Sequence, residues 1–121
     1  MAITSNTIST RIVSNLYVDF VADVQPITNI TGAAGTCWGG EIVNTMNPTT
    51  AIWLKLYDNA SPTNGTAPYA VVYAGPGQTA RFVFPEGLAF STAISAICAT
   101  SPLVSTGSSP ANKATIKLLL A

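Results

Sequence analysis

Side chains able to do acid–base or nucleophilic chemistry are scarce in this sequence. It contains no histidine, which removes the commonest general base, the Ser-His and Cys-His nucleophile pairs and the usual ligand of a catalytic zinc ion. The carboxylates are Asp19, Asp23, Glu41, Asp58 and Glu86. Asp19 and Asp23 share a face of a predicted strand, but ~13 Å of rise separates them, so a carboxylate pair flanking a glycosidic bond is not favoured. We interpret these carboxylates as solvated charges that keep strand edges apart, and we predict that the protein is not an enzyme.

Metal ligands are equally sparse. Cys37 and Cys98 lie far apart without a histidine, so they do not form a structural zinc site. We predict that both are reduced, buried residues in strands, with a cross-strand disulfide as the alternative. Residues 58–65, DNASPTNG, offer oxygen ligands for calcium but lack the closing glutamate of an EF-hand loop. Asx turns are the favoured interpretation of this stretch, and no metal or cofactor is predicted.

The composition excludes two classes of partner. Charged residues make up 8% of the 121 residues and the net charge is zero, whereas soluble domains average ~25% charged residues. The few Lys and Arg residues are scattered singly, which argues against binding to nucleic acid. No apolar run approaches the ~20 residues of a membrane span, and the start lacks the pattern of a secretory signal. We expect a protein made and used without export, and its neutral surface favours assembly with other proteins.

The predicted framework consists of short strands, and alternation is clearest over Ile52–Asp58. One face of this strand is predicted to enter the core and carries Ile52, Leu54 and Leu56. The other face includes Lys55, which predicts contact with solvent or a partner. Its neighbours Trp53 and Tyr57 are expected to cover the lysine stem.

Glycine and proline residues between the apolar stretches predict how the strands are connected. Two glycines in residues 37–47 predict a β-bulge. Residues 75–77, Gly-Pro-Gly, predict a hairpin turn, and residues 84–87 suit a type I turn. Residues 88–100 are predicted to form one strand. The fold class is therefore all-β: residues 1–121 form a single antiparallel β-sandwich, jelly-roll or Ig-like, of about eight strands.

Two motifs in a fixed order resemble a family of small virion proteins of tailed bacteriophages. The first is WLKLYD at residues 53–58, preceded by Asn44-Thr45, and the second is GLAFST at residues 87–92. Pro62, Pro68 and the Gly-Pro-Gly turn lie between them, so the resemblance covers about residues 40–100. Ala93 stands where the family usually has glycine, and GPGQT replaces a Pro-x-Gly-Gly turn. Neither departure touches the strand pattern.

The resemblance implies a capsid decoration (cement) protein that bridges major capsid protein subunits on the virion surface after synthesis in the host cytoplasm. It also implies a homo-oligomer, with a trimer expected. A tail or fibre-associated virion module and a carbohydrate-binding β-sandwich are the alternatives. Residues 1–9 are interpreted as an N-terminal arm, because termini are ordered only when tied down. The candidate interface residues are Ile3, Ile8, Trp53, Tyr57, Asn59, Asn64 and Leu120.

Overall fold

The computed structural model describes residues 15–63, 65–103 and 108–121. Ile3, Ile8, Asn64 and the predicted arm at residues 1–9 lie outside these ranges. The described residues form seven strands: β1 (Asn15–Ala22), β2 (Gly35–Val43), β3 (Ile52–Asp58), β4 (Ala70–Ala74), β5 (Thr79–Phe90), β6 (Ile94–Ala99) and β7 (Ala114–Leu120). No helix capable of spanning a membrane occurs in this part of the chain.

The strands form two antiparallel sheets, a four-stranded sheet in the order β1-β7-β2-β5 and a three-stranded sheet in the order β4-β3-β6. Residues 23–30 run beside the free edge of β6, where Ile27 and Ala96 exchange two backbone hydrogen bonds of 2.9 Å. With this segment as an eighth, irregular strand, the order matches a jelly roll of two four-stranded sheets. The prediction of an all-β sandwich is confirmed, and the Ig-like alternative is wrong because its sheets have a different strand order.

The core lies between the two sheets and is apolar. The predicted inward face of β3 is confirmed, since Ile52, Leu54 and Leu56 are fully buried. Burying an aliphatic side chain of this size is worth about 1.5–3 kcal/mol. Cys37 and Cys98 are buried free thiols in the same core, as predicted. Burial raises the pKa of Cys98 to about 12, which keeps this thiol protonated.

A β-bulge interrupts β2, as the paired glycines predict. The register of β2 shifts between Cys37 and Gly39 against both neighbouring strands. A Cβ at Gly39 would collide with the carbonyl oxygen of Phe82, and a Cβ at Gly40 would collide with that of Lys117. Only glycine therefore allows β2 to lie this close to β5 and β7.

Residues 84–87 do not reverse the chain, which corrects the predicted type I turn. Strand β5 runs through them, with Val83 paired to Gly39 and Leu88 paired to Cys37. Five positions on β5 thus span two positions on β2, and residues 84–87 protrude as a large bulge. Gly87, with a φ of 75°, supplies the left-handed conformation that the protrusion needs.

Residues 75–77 form the predicted turn but not the predicted hairpin. The N–H of Gln78 donates to the carbonyl of Gly75 at 3.2 Å, and Gly77 has a φ of 68°. Strands β4 and β5 belong to different sheets, so this turn carries the chain across the sandwich. The pattern of residue types specifies a turn but contains no information about which strands pair.

Candidate functional site

The two motifs of the resemblance contact each other through one carboxylate. Asp58, the last residue of the first motif, accepts hydrogen bonds at Oδ2 from the N–H and Oγ–H of Ser91, at 3.0 and 2.9 Å. Its Oδ1 accepts from the N–H groups of Thr92 at 2.8 Å and Ala93 at 3.3 Å. The end of β3 therefore holds the turn between β5 and β6.

This contact explains why residues 88–100 are not the single strand predicted from sequence. Three consecutive backbone N–H groups donate to Asp58 instead of to a neighbouring strand. Strand β5 therefore ends at Phe90, and β6 begins at Ile94. The hydrogen bonds from Thr92 and Ser91 lower the pKa of Asp58, against a smaller opposing effect of burial. Asp58 is thus a structural residue in this fold and is occupied by the protein's own backbone.

The described candidate interface residues do not form one surface. Tyr57 is 1% exposed and its hydroxyl is buried without a hydrogen-bond partner in the described part of the chain. Leu120 is also buried, because it belongs to β7, which lies between β1 and β2 in the four-stranded sheet. Asn59 is half-buried, and its side-chain oxygen accepts from the N–H of Ser61 in an Asx turn of 2.7 Å. Trp53 is half-buried.

Lys55 corrects the expectation that its face of β3 meets solvent or a partner. The side chain is 0% exposed, and Nζ donates to the carbonyl oxygen of Leu103 at 2.7 Å. No carboxylate in the described residues forms an ion pair with it. Burial lowers the pKa of Lys55, because the ammonium has lost its hydration.

We call this outer surface of the three-stranded sheet the covered face; it consists of Tyr57, Lys55, Ser95, Ile97 and Ala99. All five residues are buried, although they point away from the core between the sheets. Val24 packs against the apolar members, and the loop that follows β6 supplies the acceptor for the lysine. The chain therefore covers this part of the sheet with its own segments.

The outer surface of the four-stranded sheet, called here the open face, is apolar along one row. Cross-strand pairing aligns Leu16, Leu119, Gly39 and Val83 across all four strands. Val83 is 73% exposed, and Leu16 and Leu119 are also exposed. A large apolar row left exposed to solvent is the feature expected of an interaction surface.

A second row of the open face carries charge and lies beside the apolar one. Pairing aligns Val18, Lys117, Glu41 and Arg81. Glu41 accepts from Nε of Arg81 at 2.8 Å, and its other oxygen lies 3.6 Å from Nζ of Lys117. The carboxylate is thus shared by two cations, which leaves this row with a net positive charge.

The edge strand β1 extends the apolar part of the open face. Its register shifts between Asp19 and Ala22, so Phe20 and Val21 form a bulge in which both side chains point to solvent. Phe20 is 71% exposed. A bulge at a sheet edge also discourages pairing with another strand, so this edge favours contact through side chains.

A buried asparagine network, which was not predicted from the sequence, joins three loops at one end of the sandwich. Asn44 donates from Nδ2 to the carbonyls of Thr50 and Gly75, at 2.8 and 3.1 Å. Asn47 donates to Oδ1 of Asn44 and to the carbonyl of Asn112, both at 2.8 Å. The available signal was the pair of asparagines, Asn44 and Asn47, shortly before Pro48.

The remaining carboxylates do not assemble into a reactive site. Asp23 forms an ion pair of 2.6 Å with Lys113. Asp19 is buried, which corrects the expectation of a solvated charge, and its Oδ1 accepts from the N–H of Val21 at 2.9 Å. Residues 15–63, 65–103 and 108–121 contain no group of three His, Cys, Asp or Glu side chains suited to hold a metal ion.

One aromatic pair is accessible on the outer surface of the three-stranded sheet, beside the covered face. The rings of Trp53 and Tyr73 lie 5.3 Å apart with an interplanar angle of 56°. Tyr73 is exposed on β4, and Trp53 is half-buried beneath it. Such a pair offers a surface for stacking against a sugar ring or another protein.

Comparisons with protein-family models, curated proteins and solved structures give no significant match to this chain.

Proposed function

We propose that this chain is a structural virion protein that decorates a bacteriophage capsid and stabilises it by bridging major capsid protein subunits. The observation that carries the proposal is the contact of Asp58 with residues 91–93. The two motifs that resemble the phage family are far apart in sequence, yet their ends form one hydrogen-bonded unit. Residues that act together in a fold are expected to occur together in a family, so this contact supports the resemblance.

The open face supplies a physical basis for such a role. A decoration protein needs no reaction chemistry, but it needs an exposed surface that gains free energy on contact with a shell. Exposed apolar residues on the four-stranded sheet meet this requirement. Contacts repeated over symmetry-related copies add through effective concentration. Jelly rolls occur in viral capsid proteins and also in lectins, so the fold alone supports either assignment.

The copy number per particle tests the proposal. Purified particles of the phage that encodes the chain would be analysed by quantitative mass spectrometry, with the major capsid protein as internal standard. Hundreds of copies are expected for a shell protein. A handful of copies would instead assign the chain to the tail or a fibre, and its absence from particles would rule out a virion role.

A carbohydrate-binding function is the second candidate, favoured by the Trp53–Tyr73 pair. Stacking on an aromatic ring would make binding to a glycan depend on Trp53. Glycan-array binding by the purified protein that disappears in Trp53→Ala would support this function. Binding that survives the substitution, or no binding at all, would remove it.

The predicted N-terminal arm lies outside the described residues and stays a prediction. Deleting residues 1–9 is expected to lower the occupancy of the protein on purified capsids without unfolding the domain, since the segment precedes β1. Occupancy would be measured by co-sedimentation, with circular dichroism as the control for folding. Unchanged occupancy of the truncated protein would show that residues 1–9 do not contribute to attachment.

A further inference from the structure

We infer that the open face is the surface that docks onto the capsid, and that it binds an apolar side chain flanked by a carboxylate on the partner. This inference rests on the proposed function, because it specifies which surface carries the attachment. It adds the chemistry that the partner must present. The inference follows from the shape, the apolar row and the charges of the four-stranded sheet.

The first step is a cavity beside the apolar row. It has a volume of about 300 Å³, and its lining includes Leu16, Leu119 and Val83. Gly40, which has no side chain, lines it where β2 lies between β7 and β5. This shape accepts a protruding apolar side chain, which would bury surface that the isolated chain leaves in water.

The second step is the charge at the rim of the same cavity. Arg81 and Lys117 also line it, with Glu41 between them. Arg81 bonds Glu41 through Nε, which uses one of the five N–H donors of a guanidinium, and its side chain is 80% exposed. The remaining donors suit a partner carboxylate, because guanidinium groups bind carboxylates in a forked geometry.

The third step separates a different partner from a second copy of this chain. Two copies meeting through the open face would bring together twice as many cations as carboxylates, and each Glu41 already lies between two cations of its own chain. Juxtaposed like charges oppose such contact. An acidic, partly apolar surface on another protein would match both the net positive charge and the apolar row of the open face.

A competition during infection tests the inference. Wild-type protein from the phage and a variant from a plasmid would compete for the same particles, and mass spectrometry would give the ratio of variant to wild type. Val83→Glu introduces a charge into the apolar row. Val71→Glu is the matched control, since Val71 is also an exposed strand valine but lies on β4 of the other sheet. We expect incorporation of Val83→Glu to fall at least tenfold below that of Val71→Glu.

Arg81 provides the second arm of the experiment. Arg81→Glu is expected to reduce incorporation at least tenfold. Arg81→Lys keeps the charge but cannot bind a carboxylate through two parallel hydrogen bonds, and it is expected to reduce incorporation only a few fold. Melting temperatures close to the wild-type value would show that these surface variants fold. Incorporation of Val83→Glu and Arg81→Glu at the wild-type level would overturn the inference. Reduced incorporation of Val71→Glu alone would also overturn it.

The remaining outcomes distinguish the inference from the proposed function. If the wild type is present in a handful of copies and Val83→Glu still competes poorly, the open face is the attachment surface but the partner is a tail protein, which contradicts the proposed function. If the wild-type protein sediments as a dimer that Val83→Glu dissociates, the open face joins two copies of this chain, and the inferred partner is wrong. Absence of the wild type from particles overturns both.

Discussion

The outer surfaces of the two sheets differ in what they leave to solvent. On the three-stranded sheet, Lys55 and Ile97 point away from the core, yet both are buried by other segments of the same chain. On the four-stranded sheet, Val83 and Phe20 occupy equally outward positions and are more than two-thirds exposed. The chain covers β3 and β6 of one sheet with its own residues, although Val71 and Tyr73 on β4 stay exposed. On the other sheet it leaves an apolar surface that a partner would cover.

The two surfaces also differ in the burial and the hydrogen-bond partner of a positively charged side chain. Lys55 on the covered face has its ammonium on the Leu103 carbonyl, without a carboxylate in the described residues. Arg81 on the open face pairs with Glu41 and remains largely in water. A buried cation bound to a neutral acceptor belongs to a closed structural unit, whereas an exposed cation beside apolar residues is suited to recognition.

Paired truncations give the largest expected contrast between the faces. Ile97→Ala on the covered face should reduce the free energy of unfolding by about 2–5 kcal/mol, because it leaves a cavity in a packed cluster. Val83→Ala on the open face should change it by no more than about 0.5 kcal/mol. Urea unfolding followed by tryptophan fluorescence measures both. Similar losses for the two variants would mean that the faces do not differ in the way described.

Asp58→Asn tests whether the residue that joins the two motifs is structural. The variant loses an acceptor for the N–H groups of residues 91–93, so its melting temperature at pH 7 should fall by several degrees.

The pH dependence of this effect has a defined sign. The pKa of Asp58 is lower in the folded than in the unfolded protein, where it is about 3.9. Its contribution to stability is therefore complete above the unfolded pKa and is lost as the pH falls through the folded pKa. The stability difference between wild type and Asp58→Asn should shrink below about pH 4. A difference that stays constant down to pH 2 would contradict the assigned hydrogen bonds.

Lys55→Met is expected to have a small effect on stability although it changes a fully buried residue. It removes a buried cation but keeps the packing of the stem, so the free energy of unfolding at pH 7 should stay the same or rise by about 1 kcal/mol. Because burial lowers the pKa of Lys55, the unfolded state binds more protons between the folded pKa and about 10.4.

The stability of the wild type should accordingly rise with pH relative to that of Lys55→Met as the pH passes through this window. Denaturation of both proteins at several pH values up to about 9 measures this difference. A marked loss of stability in Lys55→Met at pH 7 would show that the Leu103 hydrogen bond outweighs the desolvation of the ammonium.

The structural features predicted correctly from the sequence are those that depend on residues close together in the chain. Alternation over β3 identified Ile52, Leu54 and Leu56 as core residues, because side chains two apart share a face of a strand. The glycines of β2 indicated the bulge, and the type and isolation of the two cysteines indicated buried free thiols.

The features that pattern missed depend on contacts between distant residues. The burial of Lys55 depends on the loop that carries Leu103, and alternation cannot indicate that both faces of a strand are covered. The break at residues 91–93 depends on Asp58. The open face became recognisable only when strand pairing brought Leu16, Leu119 and Val83 into one row.

A density map of the virion at a resolution that resolves strands tests the central claim most directly. We expect the chain in hundreds of copies on the outer shell, with the four-stranded sheet against the major capsid protein and Val83 and Arg81 at the contact. Contact through the three-stranded sheet, with the open face left toward solvent, would contradict the assignment of the docking surface. Density for the chain only at the tail would contradict the proposed role as a capsid decoration protein.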